Sequence, residues 1–161
     1  MDHLCPCGTG LSYVSCCGMF ISGQSLPATP EQLMRSRYTA YTQNNFDYLT
    51  DTMKDPAAKR FDLDSARDWA DKVEWIRLEV ISTKAEPTKG YVEFLAYFYE
   101  NNKRHAMHEL SEFHLEDGKW YYVDGTAPKN RPPIPETLRK RNDKCPCHSG
   151  KKYKKCCGML I

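Results

Sequence analysis

The spacing of apolar residues changes once along the chain, near residue 75. Before that point it follows a helix: Leu33, Met34, Tyr38 and Tyr41 recur at intervals of three and four, Phe46, Leu49 and Met53 continue the pattern in a short second helix, and Leu63, Ala66, Trp69 and Val73 mark a third. The first helix has a clear start in Thr29-Pro30-Glu31-Gln32, with Thr29 as N-cap, Pro30 at the first helical position and Gln32 completing a capping box. After residue 75 the period becomes two. Ile76, Leu78 and Val80 alternate with Arg77 and Glu79, and Val92, Phe94, Ala96 and Phe98 alternate with Glu93, Leu95, Tyr97 and Tyr99. Asn101-Asn102 and Asp117-Gly118 are hairpin signals between further strands. Helices first and then a meander of about four strands predict an α+β fold, with N-terminal helices packed on one face of a curved, cone-like antiparallel sheet.

Composition adds limits rather than detail. A chain of 161 residues is the size of one ordinary domain with small appendages, and 40% hydrophobic with 27% charged residues excludes wholesale disorder. No apolar run is long enough for a signal peptide core or a bilayer span, so a soluble, cytoplasmic protein is expected. In a reducing compartment its eight cysteines are expected to hold metal rather than form disulfides.

All eight cysteines fall in two copies of one hook, CPCGTGLSYVSCCG and CPCHSGKKYKKCCG, offset by 140 residues and identical at eight of fourteen positions. The shared frame is C-P-C-x-[ST]-G-x-x-Y-x-x-C-C-G. Each copy offers four thiols, Cys5, Cys7, Cys16 and Cys17 or Cys145, Cys147, Cys156 and Cys157, the number a structural zinc takes. Proline can fix the corner between the first two thiols, and Gly10 or Gly150 can take the positive φ that turns the chain back. Tyr13 and Tyr153 are placed to shield the metal. A bond between adjacent cysteines would be strained, because their Cα atoms lie about 3.8 Å apart; bridges across a hook stay open as an alternative, as does a histidine, His3 or His148, in place of a thiolate.

The two copies differ in charge. From Arg139 to Lys155 eight Lys or Arg residues face Asp143 alone, whereas Leu11, Ser12, Val14 and Ser15 occupy the places that Lys151, Lys152, Lys154 and Lys155 take in the second copy. The organisation expected is an N-terminal hook over 1–20, the α+β domain over 29–126, a Pro-rich then basic linker over 127–143, and a C-terminal hook over 144–161.

The second hook closely resembles the SEC-C motif, the zinc-binding segment at the C-terminus of the translocase motor SecA. With "LMRSRYTAY" and "WYYVDGT" between the hooks, the full chain resembles the YchJ-type family of bacterial SEC-C proteins. That resemblance implies two zinc ions, one per hook, and a middle domain similar to the nuclear-transport-factor-like cones; it names no activity.

Within the strand KRHAMHELSEFHL, the alternation puts His105, Glu109 and Ser111 on the face that also bears Phe113, and His108, Glu112 and His114 on the other. His105, Glu109 and Ser111 are the candidate pocket residues, Glu109 with a partner such as Arg35 or Arg37. The aromatics Trp69, Trp75, Tyr97 and Trp120 read as core. No nucleophile with a base, phosphate loop or open metal site is legible, so no catalytic residue is assigned. The function expected is that of a zinc-binding adaptor. Its basic hook, through Lys151, Lys152, Lys154 and Lys155, would contact a macromolecule: a protein of the translocation or ribosomal machinery, with weak nucleic-acid or anionic-lipid contact as other outlets. The alternative is a small-molecule binder, or a hydro-lyase- or isomerase-like enzyme using the cone.

Overall fold

The computed structural model describes residues 3–129 and Lys152. The chain divides into two compact units, residues 1–129 and 130–161. Residues 130–151 and 153–161, which hold most of the linker and the C-terminal hook with Cys145, Cys147, His148, Lys151, Lys154, Lys155, Cys156 and Cys157, lie outside the described residues, whereas Lys152 is exposed.

In the first unit a short 3-10 turn, Tyr13–Ser15, leads into α1 (Cys17–Ile21), followed by α2 (Pro30–Thr42), α3 (Phe46–Asp51), α4 (Ala57–Arg60) and α5 (Leu63–Ala70). Four strands follow: β1 (Val73–Ala85), β2 (Lys89–Glu100), β3 (Lys103–Glu116) and β4 (Lys119–Thr126). Each strand pairs antiparallel with its chain neighbour, in the order β1-β2-β3-β4. The α+β arrangement expected from the apolar spacing is the one observed.

Local chemistry explains the boundaries. At the head of α2 the Thr29 hydroxyl accepts the Gln32 N–H at 3.1 Å, with Pro30 just inside the helix. The Gln32 side chain reaches one residue past the cap and accepts the Ala28 N–H at 2.7 Å, a displaced form of the expected capping box. Asn45 and Asp62 cap α3 and α5 in the same way. Both tight hairpins place two consecutive residues at positive φ, Asn101 (51°) with Asn102 (60°) and Asp117 (49°) with Gly118 (76°), the type I′ requirement.

The core lies between α2 and the inner sheet face, where Leu33, Met34 and Tyr38 pack on Leu78, Val92, Phe94, Ala96, Phe113 and Trp120. A smaller cluster of Ala40, Phe46 and Leu49 joins α2 to α3. Two expectations for β1 need correction. Val73 begins the strand and does not extend the third helix. A bulge between Trp75 and Arg77 also shifts the pairing by one residue, so Trp75 faces inward with Leu78 while Ile76 is left 37% exposed.

At Gly90 the sheet approaches α2 closely: a β-carbon there would stand 2.1 Å from Pro30 Cγ. Gly90→Ala should therefore push the first turn of α2 off β2 and cost about 2 kcal/mol of stability, read as a lower urea midpoint. An unchanged midpoint would contradict this packing.

Candidate metal centre and inner cavity

The N-terminal hook is built as a miniature hairpin. Leu4 bridges Ser12, the Cys5 N–H donates to Leu11 O at 2.8 Å, and the Tyr13 N–H donates to His3 O at 2.9 Å. Between these bonds the chain turns through Gly8 and Gly10, at φ of 82° and 81°. The turn carries Cys5 and Cys7 back toward Cys16 and Cys17, which precede and open α1. Cys16 has an irregular backbone, φ −129° and ψ −118°, and this lets two adjacent side chains converge instead of pointing apart.

All four sulfurs lie within 4.8 Å of one another, with Cys7–Cys16 at 3.6 Å and Cys16–Cys17 at 3.9 Å. A tetrahedron of thiolates about 2.3 Å from a zinc ion has edges of about 3.8 Å, so these separations fit that donor set. The four are free thiols and not bridged. Hydrogen bonding to Cys17 and Cys7 pulls the Cys5 thiol well below its usual range, while Cys17, hydrogen-bonded to Cys5 and Cys7 and desolvated, is pushed well above it. Four sulfurs this close cannot all ionise unless a cation sits among them. His3 is exposed and outside the group.

Two recurring letters of the hook acquire roles that spacing alone did not reveal. Thr9, which Ser149 matches in the second copy, places its hydroxyl 3.4 Å from both Cys7 Sγ and Cys16 Sγ, where it can donate to a thiolate. Gly18 closes the C-C-G run because a β-carbon there would stand 2.6 Å from Tyr13 O and 2.9 Å from the Tyr13 ring. Tyr13 thus packs against the cysteines, as the shielding role required.

One stripe of α2, residues four apart, holds the hook. Arg35 donates to Cys7 O at 2.7 Å, Thr39 Oγ1 lies 3.8 Å from Cys5 Sγ, and Gln43, just past the helix end, accepts from Tyr13 Oη at 3.3 Å. Cys5, Cys7 and Cys17 are consequently buried.

The opposite side of α2 and the inner sheet face line a partly open cavity of about 150 Å³. Its walls are apolar, from Tyr38, Trp69, Trp75, Phe94 and Met107, and one end is polar, from Arg37, Glu109, Ser111 and Tyr122. Glu109 Oε1 accepts from Ser111 Oγ at 2.7 Å and from Tyr122 Oη at 3.1 Å. Gly125 makes room for that carboxylate, since a β-carbon there would fall 2.4 Å from Oε1. Burial, together with the Glu109 charge and bond, raises the Tyr122 hydroxyl well above its usual range, so it stays a donor.

The expected pairing of Glu109 with Arg35 or Arg37 is not what the structure shows. Arg35 pairs with Glu31 and the hook, and Arg37 donates to Leu49 O and Thr52 Oγ1, both at 2.7 Å, with its guanidinium 4.7 Å from the Tyr122 ring centre. Glu109 and Ser111 line the cavity together. His105, near the start of β3, stacks on Phe98 at 5.4 Å and is not part of the lining. His108, on the other face, is held by Glu93 at 2.8 Å.

Comparison with known proteins gives the lineage. The family model for the YchJ middle NTF2-like domain matches residues 29–125, and that of the SEC-C motif matches residues 141–158. The chain belongs to the YchJ family. Among its YchJ-type relatives is the UPF0225 protein of Geobacter sulfurreducens, 44% identical over 98% of this chain and 99% of that one. Another, from Serratia proteamaculans, is 44% identical over 98% and 99%. The solution structure of a SEC-C motif protein from Rhodopseudomonas palustris superposes with a TM-score of 0.72 at 35% identity, over 80% of this chain and 99% of that one. The crystal structure of a SEC-C motif protein from Psychrobacter arcticus gives 0.66 at 30% identity, over 99% and 97%. The fold is thus that of an NTF2-like domain, and among the described residues no helix is long and apolar enough to cross a membrane.

Proposed function

We propose that this YchJ-family chain is a cytoplasmic zinc-binding adaptor with two hooks of different purpose. The N-terminal hook holds one zinc through Cys5, Cys7, Cys16 and Cys17 and serves as a structural clasp. The C-terminal hook holds a second through Cys145, Cys147, Cys156 and Cys157 and presents Lys151, Lys152, Lys154 and Lys155 to an acidic protein surface. The observation that carries this reading is the docking of the first hook: its thiols are buried and its backbone is anchored on α2. The positions that carry lysines in the second copy hold Leu11, Ser12, Val14 and Ser15 in the first, so that copy has no charge to offer a partner. Eight basic residues spread over Arg139 to Lys155 give the second copy a field that speeds encounter with acidic surfaces and weakens with salt.

The test is affinity capture with the zinc-loaded wild-type chain and with a chain carrying Lys151→Gln, Lys152→Gln, Lys154→Gln and Lys155→Gln. The wild type should retain a nuclease-resistant protein partner that the variant loses, and retention should fall with added salt. Equal recovery on both would end the adaptor reading. Nuclease-sensitive capture, or binding to anionic vesicles alone, would replace the protein partner with RNA or lipid.

A further inference from the structure

We propose that the cavity between α2 and the sheet is a binding site for an uncharged molecule about the size of one six-membered ring, carrying a hydroxyl head that donates to Glu109. Size sets the first limit. An apolar cavity of about 150 Å³ holds benzene, and this partly open cavity has about that volume. The walls set the second: the indoles of Trp69 and Trp75, with Phe94 and Met107, offer ring faces and a thioether in place of hydrogen bonds.

The polar end sets the third limit. Glu109 and Arg37 are opposite charges at one end of an apolar space with no direct ion pair between them, each held by other groups. Their sum is zero. A ligand anion would meet the Glu109 carboxylate, and a ligand cation would meet the Arg37 guanidinium; a neutral hydroxyl meets neither penalty and can donate to a carboxylate already oriented by Ser111 and Tyr122. Bringing a carboxylate to an apolar wall is costly unless its bonds are made, yet Gly125 is shaped to admit it.

The experiment is calorimetric titration of the full zinc-loaded chain with phenol, toluene, benzoate and benzylamine, with indole NMR shifts of Trp69 and Trp75 as the second readout. Phenol should saturate with a Kd of about 1 mM or tighter. Toluene, benzoate and benzylamine should bind at least about tenfold more weakly. Glu109→Gln keeps the shape and removes one charge, so it should lose the preference for phenol over toluene and gain affinity for benzoate. Ala96→Leu should fill the cavity and abolish all four titrations while the circular-dichroism spectrum stays native. The proposal fails if folded wild type shows no saturation by phenol, if toluene or either charged probe binds as well as phenol, if Glu109→Gln leaves the preferences unchanged, or if Ala96→Leu binds as before.

Discussion

A Cys17→Ser chain, prepared with zinc and kept reduced, should carry about one zinc fewer per molecule than the wild type and unfold at a lower urea concentration. A serine hydroxyl is a poor ligand beside three thiolates, and Cys17 is 1% exposed at the centre of the group, so water cannot easily take its place. Opening the hook also releases Arg35 from Cys7 O and Tyr13 from Gln43. A charge-assisted bond and a neutral one together are worth about 2–3 kcal/mol, and that is the loss expected for the domain. A chelator should impose the same loss on the wild type and little further loss on the variant. Elemental analysis and urea titration give both readouts. A wild type that is metal-free as purified, yet well ordered over residues 4–18, would remove the basis for the whole clasp.

The second large effect belongs to Arg37. It is only 6% exposed, and its guanidinium satisfies the Leu49 carbonyl near the C-terminal end of α3 and the Thr52 hydroxyl, while burial lowers its proton affinity. Arg37→Met keeps most of the stem but leaves that carbonyl without its charged donor and Glu109 without a compensating charge in the cavity. The expected cost is about 3–5 kcal/mol by denaturant unfolding. Adding Glu109→Gln should return about 1 kcal/mol or more, since the two charges offset each other through the cavity. Strict additivity in that double-mutant cycle would show that Arg37 acts on α3 alone.

Much of this was legible in the chain because it depends on local chemistry. Thr29-Pro30, Asn101-Asn102 and Asp117-Gly118 state their own backbone conformations, and the N-terminal cysteine frame names the four thiols that the fold gathers. What stayed hidden depends on residues distant in sequence. The bulge that turns Trp75 inward and Ile76 outward arises in pairing with β2 and leaves no trace in a period-two pattern. The helices α1 and α4 span five and four residues, too short to show a period. The alternation puts Glu109 and Ser111 on the face of Phe113, but Tyr122 can be named as the second partner only with β3 and β4 in register. Gly18, Gly90 and Gly125 matter for what would collide with a side chain, and each colliding group lies elsewhere in the sequence.

The strictly sequential strand order also bears on how the molecule assembles. Since every β-strand finds its partner across a short reverse turn, the sheet can zip up by local loop closures, without waiting for distant segments to meet. The cysteines that leave the ribosome first must nevertheless wait for α2 to offer them a dock. None of the strand pairings involves the four N-terminal thiols, so a nascent chain starved of metal should still reach a collapsed, sheet-containing state.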